Sequence, residues 1–126
     1  MKNIITLIIC CLSLSALGQT EIKLDEVQNH IGDSVKLRGK IYSGKYLESA
    51  KDTPTFLDVG GKYPNAKLTL VILGDVRKQF KNAPETFYAG KEEWITGRIE
   101  LFKNKPEIII HNAAQIYNVS AEPVKN

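Results

Sequence analysis

Past Cys11 this chain of 126 residues contains no cysteine. The remainder cannot form a disulfide, supply a thiolate nucleophile or build a cysteine-based metal site, so its stability has to rest on an apolar core. Signatures of catalysis are missing too: there is no Gly-x-Ser-x-Gly elbow, no phosphate-cradling glycine loop and no His-Glu-x-x-His pair. The two histidines, His30 and His111, fall in separate segments, and no metal site is expected. Glu92 and Glu93 are adjacent, but neighbouring strand residues point to opposite faces, so they cannot jointly hold a metal or a sugar. Arg77, Arg98, Asp58 and Glu100 are the raw material of a nuclease site, yet no motif joins them. The expectation is a non-enzyme without a cofactor.

The N-terminus sets the expected compartment. Lys2 supplies a short positive region, residues 4–17 are apolar apart from Thr6, Ser13 and Ser15, and Ala16-Leu17-Gly18 is a small-x-small cleavage site. This reads as a cleavable secretory signal over residues 1–18, too short to span a bilayer comfortably; an uncleaved anchor is the alternative. A lipid anchor lacks its small residue, because Cys11 follows Cys10 and Cys10 follows Ile9. Cleavage after Gly18 takes 18 of 126 residues and leaves 108, residues 19–126, enough for one compact domain in a secreted or periplasmic location with no membrane span. Losing Lys2 from 17 basic residues leaves 16 against 14 acidic ones, a net charge of +2. That excess is too mild to identify a partner, and the distribution of charge matters more.

What the chain does contain is alternation. Residues 25–32 read as a short helix, with Asp25 as cap, Val27 and Ile31 on one face and Gly32 as a left-handed stop. From Ser34 to Tyr46, Val35, Leu37, Gly39 and Ile41 alternate inward with Lys36, Arg38, Lys40 and Tyr42 outward. Gly39 suggests a bulge that would reverse the parity after it. Residues 43–54 carry loop composition. Residues 55–59 and 68–73 form two strands around a Gly60-Gly61 and Pro64-Asn65 turn, with Leu57 and Val59 on one face and Phe56 and Asp58 on the other. A short helix through Phe80 follows, capped by Gly74 and Asp75 and burying Val76 and Phe80, and residues 84–90 connect to the next strand. That strand, residues 93–102, places Ile95, Gly97, Ile99 and Leu101 inward. Asn104 and Lys105 turn the chain into a fifth strand, 106–110, whose direction continues through Ile116 and Tyr117. Residues 120–126 read as a frayed tail.

Five strands with a helix between the third and fourth give an all-β, Greek-key barrel of the OB type, with a second short helix at the N-terminus. Leu37-Arg38-Gly39-Lys40-Ile41 is echoed by Ile95-Thr96-Gly97-Arg98-Ile99, in the two strands that must pair to close such a barrel. Residues 32–117 resemble bacterial OB-fold domains related to the anticodon-binding, nucleic-acid-binding type. The resemblance is carried by Gly32-Asp33-Ser34-Val35, Gly39-Lys40-Ile41, Thr55-Phe56-Leu57-Asp58-Val59, Tyr63-Pro64-Asn65 and Lys105-Pro106-Glu107-Ile108-Ile109, together with the 95–99 segment. It implies that the aromatic at Phe56 stacks on a base. Members of that type often carry Arg-Asp just after this strand, where the present chain has Gly60-Gly61, which removes a base-reading element and leaves sequence-tolerant stacking.

Each candidate has a second reading. Phe56 is a stacking platform, or a satellite core residue under the preceding loop. Tyr63, beside Lys62, contacts ligand or stiffens its turn. Lys36, Arg38 and Lys40, with Tyr42 beyond them, form a basic stripe for phosphate or an ordinary solvated face. Lys103 and Lys105 occupy the loop that OB folds use to embrace ligands, or a plain lysine turn. Trp94, on the outer parity, is expected to pack under a terminal segment, the alternative being a second stacking surface. The functional expectation is a non-catalytic protein that binds single-stranded nucleic acid through Phe56, Tyr63 and Tyr42, with Lys36, Arg38, Lys40, Lys62, Lys103 and Lys105 facing phosphates. The alternative is an envelope module binding a protein or an oligosaccharide on the same face.

Overall fold

The computed structural model describes residues 19–121. The expected signal, residues 1–18, and residues 122–126 of the expected tail lie outside the described residues. In chain order the strands are β1 (Thr20–Glu21), β2 (Ser34–Tyr46), β3 (Thr55–Val59), β4 (Leu68–Ile72), β5 (Glu92–Phe102), β6 (Lys105–Ile110) and β7 (Ile116–Asn118). Two short helices, α1 (Gly74–Arg77) and α2 (Pro84–Phe87), lie between β4 and β5. No helix among the described residues is long and apolar enough to cross a membrane.

Five strands close into a barrel. β2 pairs antiparallel with β3 through its C-terminal part and with β5 through its N-terminal part. β3 pairs with β4, β4 runs parallel to β6, and β6 returns antiparallel to β5. This is the OB arrangement expected from the sequence, and the strands that carry the two echoed segments do pair, with Leu37 opposite Ile95. One-sided alternation fills the interior: Val35, Leu37, Ile41, Leu57, Val59, Leu70, Ile95, Ile99, Ile108 and Ile110 are all fully buried. Each such side chain contributes about 1.5–3 kcal/mol of transfer free energy.

Several local expectations are corrected. The N-terminal helix is a 3₁₀ turn, Leu24–His30, whose entry is held by Glu26 accepting from the Lys23 backbone N–H at 2.8 Å. Asp25 therefore does not cap it and instead pairs with Lys67. Gly32 takes the expected left-handed conformation, φ +91°, and its N–H donates to the Ile99 carbonyl. The bulge in β2 is at Tyr42, between the pairs Ile41–Val59 and Ser43–Asp58, rather than at Gly39. Gly39 has a packing reason instead, since a Cβ there would lie 2.7 Å from Val59 Cγ1. Because parity reverses only after Tyr42, Ser43 and Lys45 face outward on strand that the composition had marked as loop.

Beyond β4, which ends at Ile72, α1 begins without a side-chain cap and stops at Arg77, although Val76 and Phe80 do pack on the core as expected. The 84–90 connector contains α2, started by Pro84 at its first turn. Leu101 is 49% exposed rather than inward, because the β5–β6 hairpin extends past the barrel wall. Its turn is Lys103-Asn104, one residue earlier than expected; both have positive φ, and Phe102 pairs with Lys105 across it. After β6, a 3₁₀ turn at Ala113–Gln115 interrupts the extended chain before β7, and another, Val119–Ala121, occupies the start of the expected tail.

Candidate ligand-binding face

The bulge at Tyr42 creates a two-row outer face on β2, β3, β4 and β6. One row runs Lys45, Phe56, Val71, Ile109, and the next runs Ser43, Asp58, Thr69, Glu107. Glu107 pairs in turn with Glu100 on β5. Rows two residues apart along a strand are separated by roughly 7 Å. The first row is therefore aromatic and aliphatic with a lysine at its end, and the second is polar and acidic.

A cleft of about 510 Å³ opens on this face, lined by Ser43, Gly44, Lys45, Phe56, Asp58, Tyr63 and Thr69. Phe56 is half-buried and lies outside the interior core, on the outward parity read from the sequence. Tyr63 rises from the β3–β4 turn and is 79% exposed. Gly60, φ +81°, starts that turn in a conformation that favours glycine. Asp58 is held in the wall by Ser43, whose hydroxyl donates to Oδ2 at 2.9 Å. Burial raises the Glu107 carboxyl above its usual range, and the neighbouring Glu100 charge adds to the rise.

The structure brings some of the expected residues together. Phe56 and Tyr63 share the cleft, and Lys105 Nζ sits 5.9 Å from the Tyr63 ring centroid. Lys62 is exposed in the same turn as Tyr63. Lys103 Nζ lies 5.4 Å from the ring of Phe102, which is itself 58% exposed. Tyr42 projects at the bulge, with Lys40 Nζ 4.8 Å from its ring centroid.

Lys36 and Arg38 belong to a different surface. They lie over Trp94, with Lys36 Nζ at 4.4 Å and Arg38 Cζ at 5.8 Å from its ring, and Arg38 also pairs with Glu92. Trp94 is buried under the returning β7, stacked on Tyr117 with 6.4 Å between centroids, as the sequence suggested for a terminal segment. Its Nε1 is buried and makes no hydrogen bond among the described residues.

Sequence reasoning passed over Ser43, Lys45, Thr69 and Phe102. The first two lie where the composition indicates loop. Thr69 gains meaning only from cross-strand register, and Phe102 only from a hairpin that outruns the barrel.

A second cleft, about 400 Å³, lies between the 52–53 loop and α1. Both cations that line it are engaged: Lys78 lies 3.8 Å from Asp75, and Arg77 donates to Glu85 at 2.6 and 3.1 Å and to Thr55 Oγ1 at 2.7 Å and lies 3.6 Å from the Tyr46 ring centroid. This arrangement fastens the helical connection to the barrel. Among the described residues no group of three or more histidine, cysteine or acidic residues is placed to hold a metal.

No protein-family model matches the chain, and no curated protein matches it. Among solved structures, an aspartyl-tRNA synthetase chain of Leishmania major Friedlin is similar, with a TM-score of 0.51 and 11% sequence identity. The match covers 86% of this chain and 22% of that one. At this identity the likeness shows the fold alone, an all-β barrel of the OB type.

Proposed function

We propose that this protein is a non-catalytic OB-fold binding protein that takes single-stranded nucleic acid across the Phe56 face, after export by the N-terminal signal. The observation that carries the reading is an outward aromatic, Phe56, in an open cleft beside the exposed ring of Tyr63, with Lys105 over that ring. Stacking of successive bases on such rings is tolerant of sequence and contributes about 1–3 kcal/mol per base. Phosphates are met by Lys45, at the end of the Phe56 row, by Lys62 and Lys105 beside Tyr63, and by Lys103 over Phe102 in the β5–β6 hairpin. Lys36 and Arg38 are left to the Trp94 surface, so the charge compensation differs from the stripe expected on alternation. Lys40 and Tyr42 lie at the bulge between the two surfaces.

The reading is tested by fluorescence anisotropy with a labelled mixed-sequence oligonucleotide and the chain from Gln19 to Asn126. With three or four phosphate contacts, log K should fall against log salt with a slope of about −2 to −3. The acidic row of Asp58, Glu107 and Glu100 favours a second reading, in which the same cleft holds a cationic peptide segment or a glycan. Such a ligand would bind where the oligonucleotide does not.

A further inference from the structure

We infer that Asp58, oriented by Ser43, makes this cleft select guanine over the other bases; the inference rests on the nucleic-acid reading above. The Ser43 hydroxyl hydrogen is committed to Asp58 Oδ2. What the pair presents to the cleft is therefore acceptors only: the remaining carboxylate lone pairs and those of Ser43 Oγ. Asp58 stands on the same outward face of β3 as Phe56, one row away, roughly 7 Å along the strand. A base lying flat on Phe56 thus meets this wall with its edge.

The four bases differ in what that edge carries. Guanine presents N1–H and the 2-amino group side by side, two parallel donors that match the two oxygens of one carboxylate. Adenine and cytosine each place a ring-nitrogen acceptor beside their single amino group, so one carboxylate oxygen would face a lone pair. Thymine and uracil flank one N–H with two carbonyls. Thr69, opposite Asp58 on β4 and lining the same cleft, supplies a hydroxyl that donates to the guanine O6. The acidic row continues through Glu107 and Glu100, which drives phosphates off the row itself and toward the lysines that flank it, Lys45 beside Phe56 on one side and Lys105 beside Tyr63 on the other.

The test uses labelled oligothymidylate carrying one central guanine, with inosine, adenine or thymine as replacements, and measures affinities at one fixed salt. Wild type should bind the guanine oligonucleotide about 5- to 100-fold tighter than the adenine or thymine one. Inosine, which lacks the 2-amino group, should fall between. Asp58→Asn keeps an acceptor for Ser43 but turns half of the pair into a donor, so the guanine-to-thymine ratio should collapse to within twofold. Loss of a negative charge raises affinity for all oligonucleotides alike, which is why the ratio is the readout. Phe56→Leu should weaken all of them together. Equal affinities in wild type, or a guanine preference that survives Asp58→Asn, would overturn the assignment while leaving the stacking reading intact. Failure of wild type to bind any of the oligonucleotides would overturn both.

Discussion

Replacing Arg77 with methionine should unfold this barrel at markedly lower temperature, and the structure sets the size of the effect. The guanidinium makes two hydrogen bonds to Glu85 on α2 and one to Thr55 on β3, a residue with no exposure. The Arg77 and Glu85 side chains are only 19% and 18% exposed. Methionine keeps the packing against Tyr46 but strands a carboxylate and a buried hydroxyl. Breaking one side of a fully buried pair costs 3–5 kcal/mol, and the residual exposure here places the cost near the bottom of that range, about 3 kcal/mol. For a domain of about 100 residues this lowers the melting temperature by about 10–20 °C.

The double variant Arg77→Met, Glu85→Leu removes the uncompensated charge and should recover most of the loss, giving a coupling of about 2 kcal/mol in a double-mutant cycle. Hydrogen bonds from Arg77 hold the Glu85 carboxyl below its usual range. The folded protein thus binds that proton less readily than the unfolded chain. The pair's contribution is complete above about pH 5 and disappears as pH falls through the depressed folded value. Urea denaturation at neutral and acid pH checks both statements. An Arg77→Met cost below about 0.5 kcal/mol, or additive single-variant costs, would refute the reasoning.

Gly44→Ala should destabilise by about 1–3 kcal/mol, because its Cβ would lie 2.8 Å from both the Glu85 backbone Cα and Leu57 Cδ2, lifting α2 from the barrel; thermal melts measure it. Glu93 points inward opposite Gly39, and burial raises its carboxyl. Its folded form binds a proton more readily than the unfolded chain, so the penalty is absent below the unfolded pKa and sets in as pH rises through the raised value. Glu93→Gln should accordingly be more stable than wild type near neutral pH and match it in acid, as denaturant titrations at the two pH values would reveal. Tyr117→Ala should red-shift the emission of Trp94, the chain's single tryptophan, and cost about 0.5–1.5 kcal/mol through loss of the stacked pair.

The barrel was legible because β2 and β3 are buried on one side only, and β5 is along most of its length. Val35, Leu37 and Ile41, then Leu57 and Val59, then Ile95 and Ile99 repeat with period two, and the sequence boundaries of β3 match the observed Thr55–Val59. A helix barely longer than one turn was not legible within the 84–90 connector. Pro84–Phe87 is a four-residue helix whose sole local sign is proline at its start. The bulge was displaced from Gly39 to Tyr42 because a strand glycine signals either a bulge or a close neighbour, and here the neighbour is Val59.

At the candidate site, Phe56 and its outward parity could be read from β3 alone. Its grouping with Lys45, Ser43 and Thr69 could not, since that depends on register across three strands. Lys36 and Arg38 were correctly outward, yet their destination was set by β7 returning to cover Trp94, a long-range event that alternation does not encode.

The central claim is that Phe56 is a binding surface rather than core, and the most direct measurement compares wild type with Phe56→Leu in anisotropy titrations of a labelled single-stranded oligonucleotide at low and moderate salt. Leucine keeps an apolar side chain in the Lys45–Phe56–Val71 row but removes the ring. The account predicts salt-sensitive binding by wild type, weakened about 5- to 100-fold in the variant, with little change in melting temperature. Undiminished binding by Phe56→Leu, or no binding by wild type even at low salt, would contradict it.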